Sequence, residues 1–318
     1  MTGRFAPSPT GRMHLGNVFC ALLSWLSAKS KGGQWRLRIE DLDPQRSRRD
    51  FALQLMDDLQ WLGLPWDGEV VWQSQRSDIY EHYLRLLQDA GLTYPCFCTR
   101  ADIMATQAPH ETDGRIVYAG TCRGKSSPPP WGRSGGGCAA AIRLIVPDEV
   151  ISFIDGHYGE QQVNLAQHCG DYILRRKDGA WAYQLAVVVD DALMGVTEVV
   201  RGRDLLLSTP QQIHLYRTIA SLTSSHEGFL PIGGVRGGFS YIHHPLLINE
   251  SGQRLCKRDR SLDLSALRSK HKTSDEIIGF LAFLAGILPS PTLVKPQDLL
   301  PLFAWQNVPA EDITACFS

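Results

Sequence analysis

The pattern of apolar and polar positions predicts a turn followed by a helix near the N-terminus. Apolar side chains recur at helical spacing in residues 15–26, directly after a segment rich in Pro, Ser, Thr and Gly. Residues 34–40 then alternate apolar and polar side chains, which is the period of a strand. With a first strand at residues 3–7, this order predicts a βαβ unit with a parallel sheet.

The rest of the chain continues this α/β pattern, with one change of composition. Helices are predicted at 48–62, 77–90 and 210–222, strands are predicted at 141–146 and 182–189, and the segment from 261 onward is predicted to be mainly helical. Residues 94–137 instead carry three separated cysteines followed by proline and glycine runs. This composition predicts an inserted small module with a flexible exit.

Composition and charge limit the classes of protein to which this chain can belong. A chain of 318 residues with 43% hydrophobic and 20% charged residues is expected to be a soluble globular protein. The N-terminus lacks a basic region followed by an apolar stretch, and no window reaches the length of a bilayer span, so we expect a cytoplasmic protein without a membrane partner. The net charge of −1 means that any nucleic-acid contact has to come from local patches.

The most informative stretch is residues 4–17, Arg-Phe-Ala-Pro-Ser-Pro-Thr-Gly-Arg-Met-His-Leu-Gly-Asn. Gly11 allows close approach of the backbone to a ligand, and the following helix directs N–H groups and its dipole at phosphate. His14 can donate a hydrogen bond to a phosphate on which charge builds. The stretch resembles the first signature of glutamyl- and glutaminyl-tRNA synthetases, with Asn17 in place of the second His of His-x-Gly-His. An ordinary capped turn is the alternative for a shorter fragment.

A second stretch, residues 253–259, reads Gln-Arg-Leu-Cys-Lys-Arg-Asp. It resembles the Lys-Leu-Ser-Lys-Arg form of the Lys-Met-Ser-Lys-Ser loop, with Arg254 for the first lysine and Cys256 for the serine. The resemblance places at Lys257 the lysine that neutralises the triphosphate as pyrophosphate leaves. A basic loop alone is usually a solvated surface, but the first signature favours the catalytic interpretation.

The resemblance also implies the roles of individual residues. Two further blocks match the family, Tyr-x-x-Ala-x-x-x-Asp-Asp at 183–191 and Arg-Gly-x-Asp-Leu at 201–205. Glutamate is then expected to bind Arg4, Phe5, Ala6, Pro7, Ser8, Glu40, Tyr183 and Arg201. ATP, with Mg²⁺, is expected to bind His14, Gly16, Asn17, Asp204 and Lys257, of which His14 and Lys257 are the catalytic residues. Taken singly, Glu40 could be a surface residue and Tyr183 a core aromatic.

The cysteines of the inserted module suggest a metal site. Cys96, Cys98 and Cys122 place three thiolates near one another, and zinc is the natural ion for soft sulfur ligands. A tetrahedral site lacks one ligand, which the resembling subfamily supplies from a tyrosine, here Tyr118, whereas His110 is the chemically more ordinary candidate. One structural zinc is the expectation, and three metal-free structural thiols are the alternative.

The resemblance covers residues 4–275 and implies an α/β, Rossmann-like class I aminoacyl-tRNA synthetase core of the ligase type. We expect the first half of this catalytic domain at 1–93, the zinc-containing insertion at 94–137, the second half at 138–260 and a short helical segment at 261–318. Only sixty residues follow Arg258, so no anticodon-binding domain is expected.

Such truncation is typical of paralogues in this family that load glutamate onto queuosine in the anticodon of tRNA(Asp). The expected partners are therefore ATP, L-glutamate and queuosine-containing tRNA(Asp), with the protein acting as a monomer. Arg46, Arg48 and Arg49 are candidate phosphate contacts. The alternatives are a minimal enzyme that charges the 3′ end of tRNA(Glu), and a non-catalytic RNA-binding paralogue.

Overall fold

The computed structural model of the chain describes residues 1–105, 117–125, 139–223, 238–255 and 263–316. The strands are β1 (Thr2–Phe5), β2 (Gln34–Ile39), β3 (Val71–Trp72), β4 (Thr93–Cys96), β5 (Ala141–Leu144), β6 (Val150–Asp155), β7 (Gly159–Asn164), β8 (Ile173–Arg175), β9 (Glu198–Gly202), β10 (Ser240–His244), β11 (Leu247–Ile248) and β12 (Ile313–Thr314). The α-helices are α1 (Leu15–Lys29), α2 (Arg49–Trp61), α3 (Ser77–Asp89), α4 (Arg100–Ala105), α5 (Leu165–His168), α6 (Tyr183–Leu193), α7 (Thr209–Leu222), α8 (Leu264–Ser269) and α9 (Ser274–Leu284).

Two groups of parallel strands form the centre of the fold. One has the order β1-β2-β3, and the other has the order β7-β6-β10-β9, in which only β7 runs antiparallel. Their edges meet where the Thr197 N–H donates to the Thr2 carbonyl at 2.8 Å, beside β1 and β9. Chain order reverses at this junction, which is where open α/β sheets bind ligands. The predicted βαβ unit and the Rossmann-like α/β class are confirmed.

Helix α1 is fixed at its start by a reciprocal cap. His14 is the N-cap residue, its Nδ1 accepts the Gly16 N–H at 3.1 Å, and the Asn17 Oδ1 accepts the His14 N–H at 3.1 Å. Eleven residues of the helix are buried, because it packs against both β1 and β9 as well as the C-terminal α9. Each buried leucine contributes about 1.5–3 kcal/mol to this packing. The cap therefore sits on a rigid element at the sheet junction.

One predicted strand is wrong. Residues 182–189 form most of α6 rather than a strand. The run of three valines favours a strand in isolation, yet this helix is buried almost all round, so it lacks the polar stripe that marks a surface helix. Its two acidic residues, Asp190 and Asp191, are buried as well, and each is bound by an arginine.

The cysteine-bearing segment is tied to the core by a separate sheet. β4, β5 and β8 form three antiparallel strands, so the chain enters and leaves the predicted insertion as neighbouring strands. Residues 106–116 and 126–138 of that insertion lie outside the described ranges, and the division of the chain at 93, 137 and 260 stays a prediction.

The C-terminal segment returns to the sheet junction. After α8 and α9, two short 3₁₀ turns lead to β12, which pairs in parallel with β11. The expected helical character is thus mixed with one final strand. None of the helices in the described ranges is both long and apolar enough to cross a membrane.

Candidate functional site

A cavity of about 470 Å³ opens at the junction of β1 and β9, beside the start of α1. Twelve of the residues predicted for glutamate and ATP line it, namely Arg4, Phe5, Ala6, Pro7, Ser8, His14, Gly16, Asn17, Glu40, Tyr183, Arg201 and Asp204. Lys257 and Cys256 lie outside the described residues, whereas Arg254 and Leu255, which precede them, line the same cavity. Residues up to 251 apart in sequence thus form one site.

The cap of α1 determines what His14 and Asn17 can offer to a ligand. Because His14 Nδ1 accepts the Gly16 N–H, the neutral imidazole carries its proton on Nε2. An Nε2–H is the donor that a phosphate contact requires. Asn17, which stands where the family has its second histidine, uses its Oδ1 in the cap, so only its amide N–H₂ remains to donate.

Arg4 is held in position by a buried network of charged side chains. Asp191 accepts from Arg38 Nη1 at 2.5 Å and from Arg4 Nε at 3.3 Å, while Arg4 Nη1 donates to the Val200 carbonyl at 3.1 Å. Burial acts to raise the pKa of Asp191, but Arg38 and Arg4 outweigh it and lower that pKa. Arg4 Nη2 has no hydrogen-bond partner within the described ranges. Arg4 therefore presents a fixed guanidinium edge to the cavity.

Glu40 is held at the same end of the cavity. Its carboxylate accepts from Arg38 Nη2 at 3.1 Å, and only 10% of its side chain is exposed. Burial raises the pKa of Glu40, although Arg38 opposes the shift. Glu40 is therefore not the exposed surface residue that was the alternative interpretation, because it lines the cavity and its carboxylate is bound by Arg38.

Arg201 has all five of its N–H groups engaged by the protein. The acceptors are Gln212 Oε1 and Thr209 Oγ1, both at 2.7 Å, His243 Nε2 at 3.0 Å, and the Tyr183 hydroxyl and the Leu205 carbonyl, both at 3.4 Å. A ligand carboxylate can gain a donor from Arg201 only by displacing one of the two long contacts. Arg201 thus differs from Arg4, which keeps Nη2 for the cavity.

The residues behind Arg201 were not found from the sequence. His243 and Asp155 are buried, and His243 Nδ1 lies 2.6 Å from Asp155 Oδ2. Burial, assisted by the charge of Arg201, lowers the pKa of His243 to about 4 despite Asp155. The neutral imidazole donates from Nδ1 and accepts the Arg201 Nε–H at Nε2. Asp155 thereby selects the tautomer that Arg201 needs.

Two ion pairs involve the adjacent residues Arg203 and Asp204. Asp204, which lines the cavity, accepts from Arg254 of the second signature, and Arg203 donates to both carboxylate oxygens of Asp312 at 2.6 Å. Asp312 belongs to the C-terminal segment beside β12. The arginine that replaces the first lysine of the family loop is therefore bound to a residue predicted for ATP.

Three cysteines converge as the sequence predicted. The Sγ atoms of Cys96, Cys98 and Cys122 all lie within 4.8 Å of one another, and the Tyr118 hydroxyl is 3.4 Å from Cys96 Sγ and 3.5 Å from Cys98 Sγ. Tetrahedral Zn–S bonds of about 2.3 Å place sulfur atoms roughly 3.8 Å apart, so this donor set fits a zinc ion. His110, the other candidate ligand, lies outside the described residues.

The three arginines predicted to contact RNA are exposed but differ in their surroundings. Arg48 lies over the Phe51 ring, 5.9 Å from its centroid, and Arg49 lies over the Trp72 ring at 5.5 Å. Arg46 instead lines a second cavity of about 510 Å³. The segment that leads into α2 thus presents three exposed cations, one of which lines a cavity.

Comparison with known proteins gives one consistent family. The model of class I tRNA synthetases (E and Q), catalytic domain, matches residues 1–290. A glutamyl-Q tRNA(Asp) synthetase of Nitratidesulfovibrio vulgaris is 41% identical over 98% of this chain and 94% of its own length. One from Neisseria meningitidis is 46% identical over 94% and 92%.

A solved structure is similar as well. The glutamate tRNA ligase from Elizabethkingia meningosepticum, in complex with its amino acid, superposes with a TM-score of 0.76 at 26% identity. The match covers 97% of this chain and 65% of that ligase, so the chain spans about two thirds of the ligase's length.

Proposed function

This chain belongs to the class I tRNA synthetases for glutamate and glutamine, and we propose that it activates L-glutamate with ATP and transfers it to queuosine in the anticodon loop of tRNA(Asp). The observation that carries the proposal is the single cavity that gathers the predicted glutamate and ATP residues. Relatives named for this activity are 41% and 46% identical over more than nine tenths of the chain.

In the proposed activation step, a carboxylate oxygen of glutamate attacks the α-phosphorus of ATP and pyrophosphate leaves. The α1 start, with His14 Nε2–H and the helix N–H groups, supports negative charge on the phosphates. Arg4 forks the side-chain carboxylate, while Glu40 and Ser8 bind the ammonium. Tyr183 and Arg201 close the pocket. Arg201 contributes mainly its positive charge, and its hydrogen bond holds Tyr183 in position. Mg²⁺ bound with ATP would supply positive charge that offsets the charge of the phosphates, and Lys257 would neutralise the departing pyrophosphate.

The activation half of the proposal is tested by ATP–pyrophosphate exchange. Purified protein is expected to exchange with glutamate, ATP and Mg²⁺ in the absence of tRNA, and to exchange far more weakly with glutamine or aspartate. Exchange with one of these other amino acids, but not with glutamate, would refute the assignment of the pocket. No exchange with any amino acid would favour a non-catalytic RNA-binding protein.

For the acceptor half, two observations support queuosine rather than a 3′ terminus. The relatives whose names specify tRNA(Asp) match over nearly their whole length, whereas the glutamate tRNA ligase matches over 65% of its length and with lower identity. Arg46 lines a space that shares Glu40 and Tyr183 with the cavity, and the Arg48 N–H donates to the Pro9 carbonyl at 2.9 Å, so these cations are candidates to contact an RNA loop that approaches bound glutamate. Binding through such phosphate contacts is expected to weaken steeply with salt.

We also propose one structural zinc held by Cys96, Cys98, Cys122 and Tyr118. Bound zinc would hold the insertion together, and the chemistry of the cavity needs no part of it. The cluster has its own small core with Tyr94 and Ala141.

The zinc proposal predicts about one zinc per chain by elemental analysis. Cys122→Ser is expected to lose the metal and loosen the insertion to proteolysis while glutamate-dependent exchange survives. Cys316→Ser, which alters an exposed cysteine outside the cluster, should keep the metal and serves as the control. Metal-free wild-type protein after purification without chelators would contradict the proposal.

The network behind Arg201 gives a further prediction. His243→Leu removes the acceptor for Arg201 Nε, and we expect the glutamate KM in exchange to rise about tenfold with little change in the ATP KM, since one hydrogen bond to a charged group contributes about 1.5 kcal/mol or more. His243→Gln can donate to Asp155 and accept from Arg201, so it should recover most of the loss. Equal rises in the KM values for glutamate and ATP, or no recovery in the His243→Gln variant, would indicate a purely structural role.

A further inference from the structure

A second cavity adjoins the proposed glutamate site. Its volume is about 510 Å³, and it shares Ser8, Thr10, Glu40 and Tyr183 with the first cavity. These four residues thus separate the two spaces, with glutamate expected on one side. A group bound in the second cavity would therefore be adjacent to glutamate bound in the first.

The lining of the second cavity combines apolar side chains with charged side chains of both signs. Leu42, Ile173 and Trp181 supply apolar and aromatic wall, Arg46 and Arg176 supply cations, and Glu40 and Asp43 supply carboxylates. This combination suits an unstacked nucleoside, because bases pack against apolar and aromatic surface while arginines bind the backbone phosphates. ATP phosphates already have the α1 start in the first cavity, so the second cavity is not needed for them.

The two cations are available to an anionic ligand. The Arg46 side chain has no hydrogen-bond or ion-pair partner within the described ranges. Arg176 is half exposed and is paired with Asp178 at 2.5 Å and with Asp43 at 3.8 Å. Such exposed pairs contribute little to stability, so a phosphate can replace a carboxylate as the partner of Arg176. Ser47 Oγ, also on the lining, is buried without a hydrogen-bond partner in the described part of the chain.

Arg176 also connects this space to a larger cleft. A cavity of about 1020 Å³ runs from Arg176, Ala182 and Tyr183 to the cysteine cluster. Flanking nucleotides of a loop have room there, whereas the second cavity fits a single residue. Lys177, at the border, is already bonded to the Phe97 carbonyl at 2.6 Å, which leaves Arg176 as the cation at the meeting point of the two spaces.

We propose that the second cavity receives the acceptor nucleoside, extruded from an RNA loop, with Arg46 and Arg176 on the phosphates that flank it. The proposal rests on the proposed function. In the transfer step, a hydroxyl oxygen of this nucleoside attacks the glutamyl carbonyl carbon across the Glu40 and Tyr183 wall. A new ester C–O bond forms, the bond from that carbon to the AMP phosphate oxygen breaks, and the hydroxyl proton leaves with the AMP phosphate.

The test compares Arg176→Ala with Arg85→Ala. Both remove one arginine from a surface ion pair, but Arg85 lies on α3 and lines neither cavity. Both variants should match wild type in tRNA-independent ATP–pyrophosphate exchange. In transfer to queuosine-containing tRNA(Asp), Arg176→Ala is expected to lose on the order of tenfold in kcat/KM and to reduce the slope of log KM against log salt by about one.

Arg46→Ala should behave like Arg176→Ala, while Arg85→Ala should transfer like wild type. Wild-type transfer by both cavity variants, or the same loss with Arg85→Ala, would overturn this inference and leave activation intact. A loss of exchange equal to the loss of transfer in Arg176→Ala would assign the residue to the glutamate site instead. Absence of exchange in the wild type would refute the proposed function itself, which keeps the two failures distinct.

Discussion

Arg4→Ala is expected to abolish the preference for glutamate over glutamine in adenylate formation. Arg4 is a buried cation that lines the cavity, its Nη2 has no hydrogen-bond partner in the described part of the chain, and Asp191 and the Val200 carbonyl fix its plane. Loss of charge-assisted hydrogen bonds costs about 1.5–3 kcal/mol, so we expect the glutamate KM to rise roughly 10- to 100-fold. Glutamine, which has no side-chain charge, should lose much less. Exchange kinetics with each amino acid measure both effects.

Arg4→Lys is the matched variant, because it keeps the charge but not the planar fork. It should retain a preference for glutamate with an intermediate KM. The assignment would be refuted by an Arg4→Ala protein that keeps the wild-type ratio of kcat/KM for glutamate and glutamine. A folding defect is separable, since it would lower the amount of active protein and leave this ratio unchanged.

Lys257→Ala is expected to lower the kcat of exchange on the order of 10²- to 10³-fold, which is typical for loss of one group that stabilises transition-state charge. The glutamate KM should change little, because the charge of Lys257 matters most as pyrophosphate leaves. The prediction comes from the second signature, and Leu255, two residues earlier, lines the cavity.

Lys257→Arg keeps the cation and should restore part of the rate, whereas Arg254→Ala breaks only the pair with Asp204 and should have a smaller effect on kcat. A rise in the glutamate KM with unchanged kcat in Lys257→Ala would rule out the proposed role. Pre-steady-state measurement of adenylate formation would separate this step from product release.

The sequence was most informative where residues act through short local patterns. The residues 4–17 place a strand, a turn and a capped helix in one stretch, so both the βαβ unit and the cavity wall could be predicted. The pair Cys96 and Cys98 was predictable for the same reason, since these cysteines are two residues apart, whereas Cys122 lies 24 residues after Cys98 and joins them only in the fold.

What the sequence could not reveal depends on distant contacts. Arg38 and Asp191 are 153 residues apart, and His243 and Asp155 are 88 apart, so neither pair leaves a local pattern. The same cause explains the wrong strand at 182–189: the valines of α6 are buried on every side, and only the surrounding elements make a helix the better conformation there. Arg201, predicted to bind glutamate, lines the cavity, but the fact that the protein itself engages all of its N–H groups could be seen only with its distant neighbours.

Transfer of radiolabelled glutamate to matched RNA stem-loops tests the central claim most directly. The substrates are the tRNA(Asp) anticodon stem-loop with queuosine, the same loop with guanosine, and full-length tRNA(Glu). Both stem-loops end in a 3′ phosphate, which removes the vicinal diol of the terminal ribose. The diol of queuosine is then the one that periodate can oxidise. We predict label on the queuosine loop alone, and its loss after periodate oxidation of the diol. Charging of unmodified tRNA(Glu) at its 3′ end, with no label on the queuosine loop, would contradict the account.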